Sequence, residues 1–333
     1  MNKYKTKELT MNKLTKIGVS ALCGSLAAIS AAKAGELSVS GGANMTLTKL
    51  GYGNTGNPLG MASSMTFTGS GELDNGSTVT INIAHNDKNT YSASDISIAT
   101  PSMGTFTYDE GGGTGIDRFD DKMPTAWEET NGTGVAAGFT TVSGVGGMTD
   151  IEWAMPADML PDGVSAYVSF SPKPDGSKNS DKSSGAASNS AIDGWGYDIA
   201  VSHTGLADGL EVFGGYSVIP QYKSSTAGVG YTNDKTSKVL GLTYAMGAAT
   251  VGYQYSIEDY NWGVDGNTSH YANNAFGISF SVNDDLSISY GRHDSERQLN
   301  NATSVEIEAE SFQVAYSMGG ATIKIAETEV DNA

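Results

Sequence analysis

Apolar and small polar residues alternate along most of the chain after residue 34. A clear example is the stretch 65–85, which surrounds the turn Asp74-Asn75-Gly76. Its apolar positions are Met65, Phe67, Val79, Ile81 and Ile83, with Thr, Ser or Asn at many of the positions between them. Because successive strand side chains point to opposite faces and Asx-Gly favours a tight turn, this stretch predicts a β-hairpin with one apolar face.

The same pattern recurs to the end of the chain, with short turns and long polar loops in alternation. We predict 15 strands, near residues 36–48, 61–73, 77–86, 94–101, 104–109, 148–155, 164–171, 194–203, 210–219, 236–245, 249–257, 273–282, 286–293, 305–317 and 321–329. No apolar run after residue 34 has a helical period or is long enough to span a membrane as a helix. The chain is therefore predicted to be all-β.

The composition of the two faces distinguishes a soluble sandwich from a membrane barrel. The polar face carries small and hydroxylic residues rather than the Lys and Glu of a solvent-exposed sheet, and Trp153, Trp195, Tyr290 and Tyr316 lie near strand ends. Strands of roughly ten residues, tilted by about 40°, match an apolar band of about 25 Å, and lipid requires a closed sheet. We therefore predict a transmembrane antiparallel β-barrel.

Strand parity then assigns side chains to the two faces of this barrel. Ile81, Tyr253 and Phe276 are predicted to face outward, and Thr80, Gln254 and Ser279 to line the pore.

The first 34 residues have the features of a secretory signal peptide. A basic segment from Met11 to Lys16 precedes an apolar stretch from Ile17 to Ala32, and Ala32-Lys33-Ala34 is an A-x-A cleavage site. We expect residues 1–34 to be removed after Ala34 and residues 35–333 to form the barrel. The single cysteine, Cys23, would leave with the signal peptide.

The strong negative charge limits the classes of partner. The formal net charge is −18, and the signal peptide contains six lysines and one glutamate, so the mature chain is more acidic still. This balance argues against nucleic acid as a partner and favours cations. No cofactor is expected, and the isolated histidines and the glycine-rich stretch 111–115 match no catalytic motif, so we do not expect an enzyme.

Several features together resemble the Gram-negative general-diffusion porins, particularly the alphaproteobacterial branch. They are the signal peptide, a first strand "GELSVSGGANM" from Gly35 to Met45, the repeated hairpins and a long acidic loop near residue 115. The resemblance implies a 16-stranded barrel in the outer membrane, a homotrimer, and a third external loop folded inward as a constriction.

Two positions depart from the family pattern. The last strand of the family ends in an aromatic residue, whereas this sequence ends Glu329-Val330-Asp331-Asn332-Ala333, so we expect a missing closing strand and an open seam beside the first strand. In strand 305–317, Glu306, Glu308 and Glu310 share parity with apolar residues. A bulge, or a strand end above the membrane, is expected there.

The stretch Asp109 to Gly132 is the candidate constriction because it is acidic, rich in glycine and follows the fifth strand. Its charged residues are Asp109, Glu110, Asp117, Arg118, Asp120, Asp121, Lys122, Glu128 and Glu129. The inward wall charges are predicted to be Asp95, Glu152, Asp198, Glu258 and Lys324. An ordinary acidic surface loop and a calcium site at Asp117, Asp120 and Asp121 are the alternative interpretations.

The sequence thus predicts an outer-membrane channel for passive diffusion of small hydrophilic solutes, with a preference for cations. Its expected partners are outer-membrane lipid, those solutes and two further copies of the chain. A substrate-specific outer-membrane channel and a non-conducting structural or adhesive surface β-protein are the alternatives.

Overall fold

The computed structural model describes residues 35–49, 57–86, 93–110, 112–132, 141–174, 192–224 and 230–331. The predicted signal peptide, residues 1–34, lies outside the described residues. Within the described ranges, 15 antiparallel strands form one sheet. Those ranges contain no helix of the length and apolar character that membrane crossing requires.

Each strand pairs with its neighbours in sequence, from first to last. The strands are β1 Glu36–Leu47, β2 Leu59–Glu72, β3 Thr78–Asn86, β4 Ala93–Thr100, β5 Gly104–Glu110, β6 Thr149–Ala154, β7 Val164–Ser171, β8 Gly196–His203, β9 Leu210–Ile219, β10 Lys235–Met246, β11 Ala249–Asp259, β12 Thr268–Ser281, β13 Leu286–Leu299, β14 Val305–Met318 and β15 Ala321–Asp331. The predicted number and order of strands are confirmed. β12 begins five residues earlier than predicted, at Thr268, and β13 ends six residues later, at Leu299, so both extend at the ends opposite their shared turn.

The two faces of the sheet differ in burial as strand parity requires. Ile81, Tyr253 and Phe276 are 40%, 45% and 39% exposed on the apolar face, whereas Gln254 on the polar face is 7% exposed. Thr80 and Ser279 are half-buried. An exposed apolar face of this extent is suited to contact with lipid. The burial of Gln254 shows that another part of the chain covers the polar face.

The strand ends of β13 and β14 show how the chain handles charges on the apolar face. Glu306, Glu308 and Glu310 pair with β13 in a continuous register, so the alternative of a bulge is wrong. The guanidinium of Arg292 lies 2.8 Å from Asp294, and its other nitrogens lie 3.0 Å from Glu308 and 3.2 Å from Glu310. These charged residues occupy the strand ends beyond the apolar stretch.

The first and last strands are both edges of the sheet. Within the described residues, β1 pairs with β2, β15 pairs with β14, and no ladder joins β1 to β15. The sheet is therefore open at the position where the sequence predicted a seam.

Candidate functional site

The connection between β5 and β6, which we call the β5–β6 loop, covers the polar face of the sheet. It comprises residues 111–148, of which 112–132 and 141–148 are described. At its start, the Thr114 hydroxyl donates to Asp150 Oδ1 at 2.8 Å and the Gly115 amide donates to Glu152 Oε2 at 2.7 Å. Both acceptors are inward residues of β6, so the loop turns onto the inner wall immediately after β5.

Asp198 of β8 accepts hydrogen bonds from both ends of the loop. The Ile116 amide donates to Asp198 Oδ2 at 3.1 Å, and the amides of Val145 and Gly146 donate to the same carboxylate at 3.0 Å. The Asp198 residue is fully buried.

A small hydrophobic core fixes the first turn of the loop to the wall. Ile116 and Phe119 are buried, and the Phe119 ring stacks on Phe213 of β9 with centroids 4.9 Å apart. Val142, Ala200 and Val239 complete the cluster. Burying side chains of this size contributes roughly 1.5–3 kcal/mol each.

The later part of the loop reaches the strands at the far side of the sheet. The Ala126 amide donates to Ser289 Oγ of β13 at 2.8 Å, and Gln313 Nε2 of β14 donates to the Glu128 carbonyl at 2.8 Å. Trp127 Nε1 donates to the Ile325 carbonyl of β15 at 3.2 Å. The loop thus crosses the polar face from β6 to β15.

The two bases of the loop are each engaged by a carboxylate of the wall. Arg118 forms an ion pair with Glu152, and its guanidinium lies 3.5 Å from the ring centroid of Tyr167. Lys122 Nζ lies 2.8 Å from Glu211 Oε1. Their positive charges are therefore offset locally. Among the described residues, the loop acids Asp117, Asp120, Asp121, Glu128 and Glu129 form no ion pair with a base.

Burial changes the ionisation of four of these loop acids. It raises the pKa of Asp120 to about 7, with nearby Asp121, Asp117 and Glu129 adding to the rise and a hydrogen bond from Thr141 opposing it. Burial also raises the pKa of Glu129 to about 7, helped by a hydrogen bond with Glu128. The pKa values of Asp117 and Asp121 are raised for the same main reason. At neutral pH, Asp120 and Glu129 are therefore only partly ionised.

Asp120, Asp121 and Glu129 share a cleft with inward residues of the wall. Gln254 of β11 and His293 of β13 also line this cleft. Among the described residues, no group of three or more His, Cys, Asp or Glu side chains is arranged to hold a metal ion. The calcium alternative at Asp117, Asp120 and Asp121 therefore gains no support from the geometry.

The remaining predicted residues lie in four places. Asp109 is buried at the end of β5, where the Gly112 amide donates to it at 2.8 Å, and Asp95 lies directly opposite on β4. Glu258 is buried on β11, and Lys324 Nζ of β15 lies 5.5 Å from the Trp127 ring centroid. Glu110 instead shares a face with Tyr108, whose hydroxyl donates to it at 3.2 Å. Strand parity thus separates Glu110 from the other predicted constriction residues.

The sequence analysis did not single out three residues that hold the loop. Asp150 has the same strand parity as Glu152, so the sequence alone could have placed its side chain on the inward face of β6. Glu211 and Gln313 contact loop residues 89 and 185 positions away, and no local pattern predicts such pairings.

Comparisons with known proteins identify the family. A family model described as Gram-negative porin matches residues 18–332. Among solved structures, OmpF of Salmonella typhi matches with 14% identity and a TM-score of 0.59, covering 87% of this chain and 88% of that chain. A porin structure refined at 1.8 Å resolution has 14% identity and a TM-score of 0.59, with 89% and 95% covered.

A third structure, the outer membrane protein OmpT of Vibrio cholerae, has 10% identity and a TM-score of 0.58, with 92% and 89% covered. At these identities the likeness establishes the barrel fold. No curated protein matches the sequence. The chain belongs to the Gram-negative porin family and is a diffusion channel of the outer membrane.

Proposed function

We propose that this porin passes small hydrophilic solutes and favours cations, with the β5–β6 loop as its constriction. The observation that carries the proposal is the pairing of both loop bases, Arg118 and Lys122, with wall carboxylates. The loop acids without such a partner then dominate the field near the loop. A narrow, low-dielectric passage focuses that field and concentrates cations.

The inner wall contributes to the same balance. Asp95 adds negative charge to the polar face, whereas Lys324 is the one base among the wall residues predicted from the sequence. The charge of Glu258 is offset by Lys235, whose Nζ lies 3.5 Å from its carboxylate. A substrate-specific channel would need a ladder of accessible basic or aromatic side chains. The Tyr167 ring is covered by the Arg118 guanidinium, which makes a general channel the better supported proposal.

Reversal potentials test the cation preference directly. The purified protein is inserted in a planar bilayer under a KCl gradient. We expect a reversal potential with the sign of the K⁺ equilibrium potential, as for a channel that prefers K⁺ to Cl⁻. The preference should shrink between 0.1 M and 1 M salt, because the screening length falls from about 10 Å to about 3 Å. A reversal potential set by Cl⁻ would contradict the proposal.

The outer surface supports the further proposal that three copies assemble. Outward aromatic side chains such as Tyr108, Tyr197, Tyr253 and Phe312 are spread over β5–β14. The outward face of β1 instead carries Leu37, Val39, Gly41, Ala43, Met45 and Leu47. Aromatic girdles mark lipid contact in outer-membrane barrels, so a face without them is suited to another protein surface.

Cross-linking of the protein in mild detergent tests this assembly. We expect a ladder that stops at three subunits, because a closed ring buries the aliphatic face of each copy. Replacing Met45 by Lys should weaken the ladder, and replacing the lipid-facing Leu240 by Lys should leave the ladder unchanged in the fraction that folds. A species that remains a monomer at all cross-linker concentrations would contradict the proposal.

We also propose that residues 1–34 are a secretory signal peptide that is removed after Ala34.

A further inference from the structure

The buried carboxylate of Asp198 lies where the two ends of the β5–β6 loop meet. The Ile116 amide comes from the outgoing end of the loop, and the Val145 and Gly146 amides come from the returning end. No other side chain among the described residues accepts main-chain amides from both ends. One side chain of β8 therefore joins residues that are far apart along the loop.

Glycines allow the loop to approach this carboxylate closely. Gly115 and Gly144 both have positive φ values, +50° and +59°, and a Cβ at these positions would lie 2.3 Å and 2.6 Å from Asp198 Oδ2. Either contact is too short for a real Cβ atom. The backbone of the loop is thus shaped around the Asp198 carboxylate.

The wall offers a close counterpart that does not hold the loop. Glu258 lies on the same cross-strand row as Asp198, which runs through Ser217 and Ser237. Glu258 is equally buried, but its carboxylate accepts from Ser237 and Tyr260 and lies 3.5 Å from Lys235. A substitution at Glu258 therefore removes a buried charge from the wall without removing a bond to the loop.

We propose that Asp198 is the positioning residue of the channel: its carboxylate clasps the outgoing and returning ends of the β5–β6 loop and so holds the loop across the pore. The part of this inference that concerns the pore rests on the proposed function, whereas the clasp itself is a property of the fold. An ionised carboxylate accepts three main-chain amides well, since hydrogen bonds to charged groups are stronger than neutral ones. An amide at this position would place its NH₂ group against N–H donors.

Limited proteolysis measures the clasp without reference to conduction. Trypsin cleaves after Arg118 and Lys122, which lie beside the clasped turn. In the folded protein in detergent, we expect Asp198→Asn to speed cleavage at these sites about tenfold or more, because cleavage follows the population of the open loop. Glu258→Gln is the matched control and should be cleaved at the wild-type rate. Heat-modifiable gel migration verifies that each variant is folded.

Single-channel recording measures the consequence for the pore. Asp198→Asn should give a conductance that differs from wild type by about twofold or more, with more frequent switching between levels, whereas Glu258→Gln should keep steady wild-type levels. Gly144→Ala keeps the carboxylate but prevents the close approach, and should reproduce the Asp198→Asn result. Its control is Gly247→Ala, which has a similar positive φ but open space around the new methyl group.

These outcomes separate the clasp from the proposed function. If the wild-type protein does not conduct, the proposed function fails, and the cleavage rates still report on the clasp. If Asp198→Asn matches Glu258→Gln in cleavage and in conductance, the clasp is wrong. It is also wrong if Asp198→Asn and Gly144→Ala both fail to fold while the two controls fold, because Asp198 would then serve the whole sheet.

Discussion

Replacing Asp117, Asp120 and Asp121 together by Asn is expected to lower the cation-to-anion permeability ratio about fivefold. The three side chains belong to a loop whose two bases are already paired with wall carboxylates. Removing them therefore subtracts negative charge that nothing nearby offsets. A change in local potential of about one kT is enough for an effect of this size, since cation and anion concentrations shift in opposite directions. Reversal potentials in a salt gradient give the ratio.

A matched variant separates a local effect from a general change in charge. Asp158, Asp162 and Asp208 are exposed residues at the short turns, away from the loop. Replacing these three by Asn removes the same number of carboxylates and should change the ratio little, because exposed charges beyond about 10 Å are screened at 0.1 M salt. Equal effects of the two triple variants would show that the β5–β6 loop does not determine selectivity.

The cation preference is also expected to depend on pH near neutrality. Burial raises the pKa of Asp120 and of Glu129 to about 7, so both are protonated at pH 5 and ionised at pH 9. Raising the pH through 7 adds negative charge to the loop, and the permeability ratio for cations should rise about threefold. Reversal potentials between pH 5 and pH 9 measure this change.

The double variant Asp120→Asn, Glu129→Gln provides the control for this pH dependence. It should hold the low cation preference at every pH, because neither side chain can ionise. A wild-type ratio that stays constant from pH 5 to pH 9 would contradict the assignment. The raised pKa of Asp120 also affects the stability of the loop. The protonated carboxyl stabilises the packed loop at acid pH, and this stabilisation is lost as the pH rises through about 7.

Strand alternation predicts most of this fold because each residue's face depends only on parity. Ile81, Tyr253 and Phe276 were therefore placed correctly without any knowledge of strand partners. The prediction ended β13 at residue 293, whereas the strand runs to Leu299, because charged residues replace the apolar ones while the backbone ladder continues. Hydropathy thus detects the membrane-embedded part of a strand rather than the whole strand.

The candidate site was less predictable because its contacts join distant parts of the chain. Composition and position indicated the acidic stretch from Asp109 to Gly132. The sequence does not show which wall residues this loop buries. Asp198 was predicted as a charge on the pore wall, and the structure shows its carboxylate occupied by main-chain amides. For Glu110 the sequence did contain the needed information, because strand parity within β5 places its side chain on the face opposite to that of Asp109.

The charged ends of β13 and β14 set the height of the barrel wall relative to the lipid. Tyr290 and Phe312 face each other as an apolar pair, and the next outward pair on that side is Arg292 with Glu310. Hydrocarbon therefore ends between these two pairs, since ionised side chains are costly on the lipid face. β13 continues to Leu299, a further rise of roughly 20 Å along the strand. On this side the wall of the sheet therefore extends beyond the hydrocarbon layer, so the channel mouth lies above the apolar part of the membrane and not level with it.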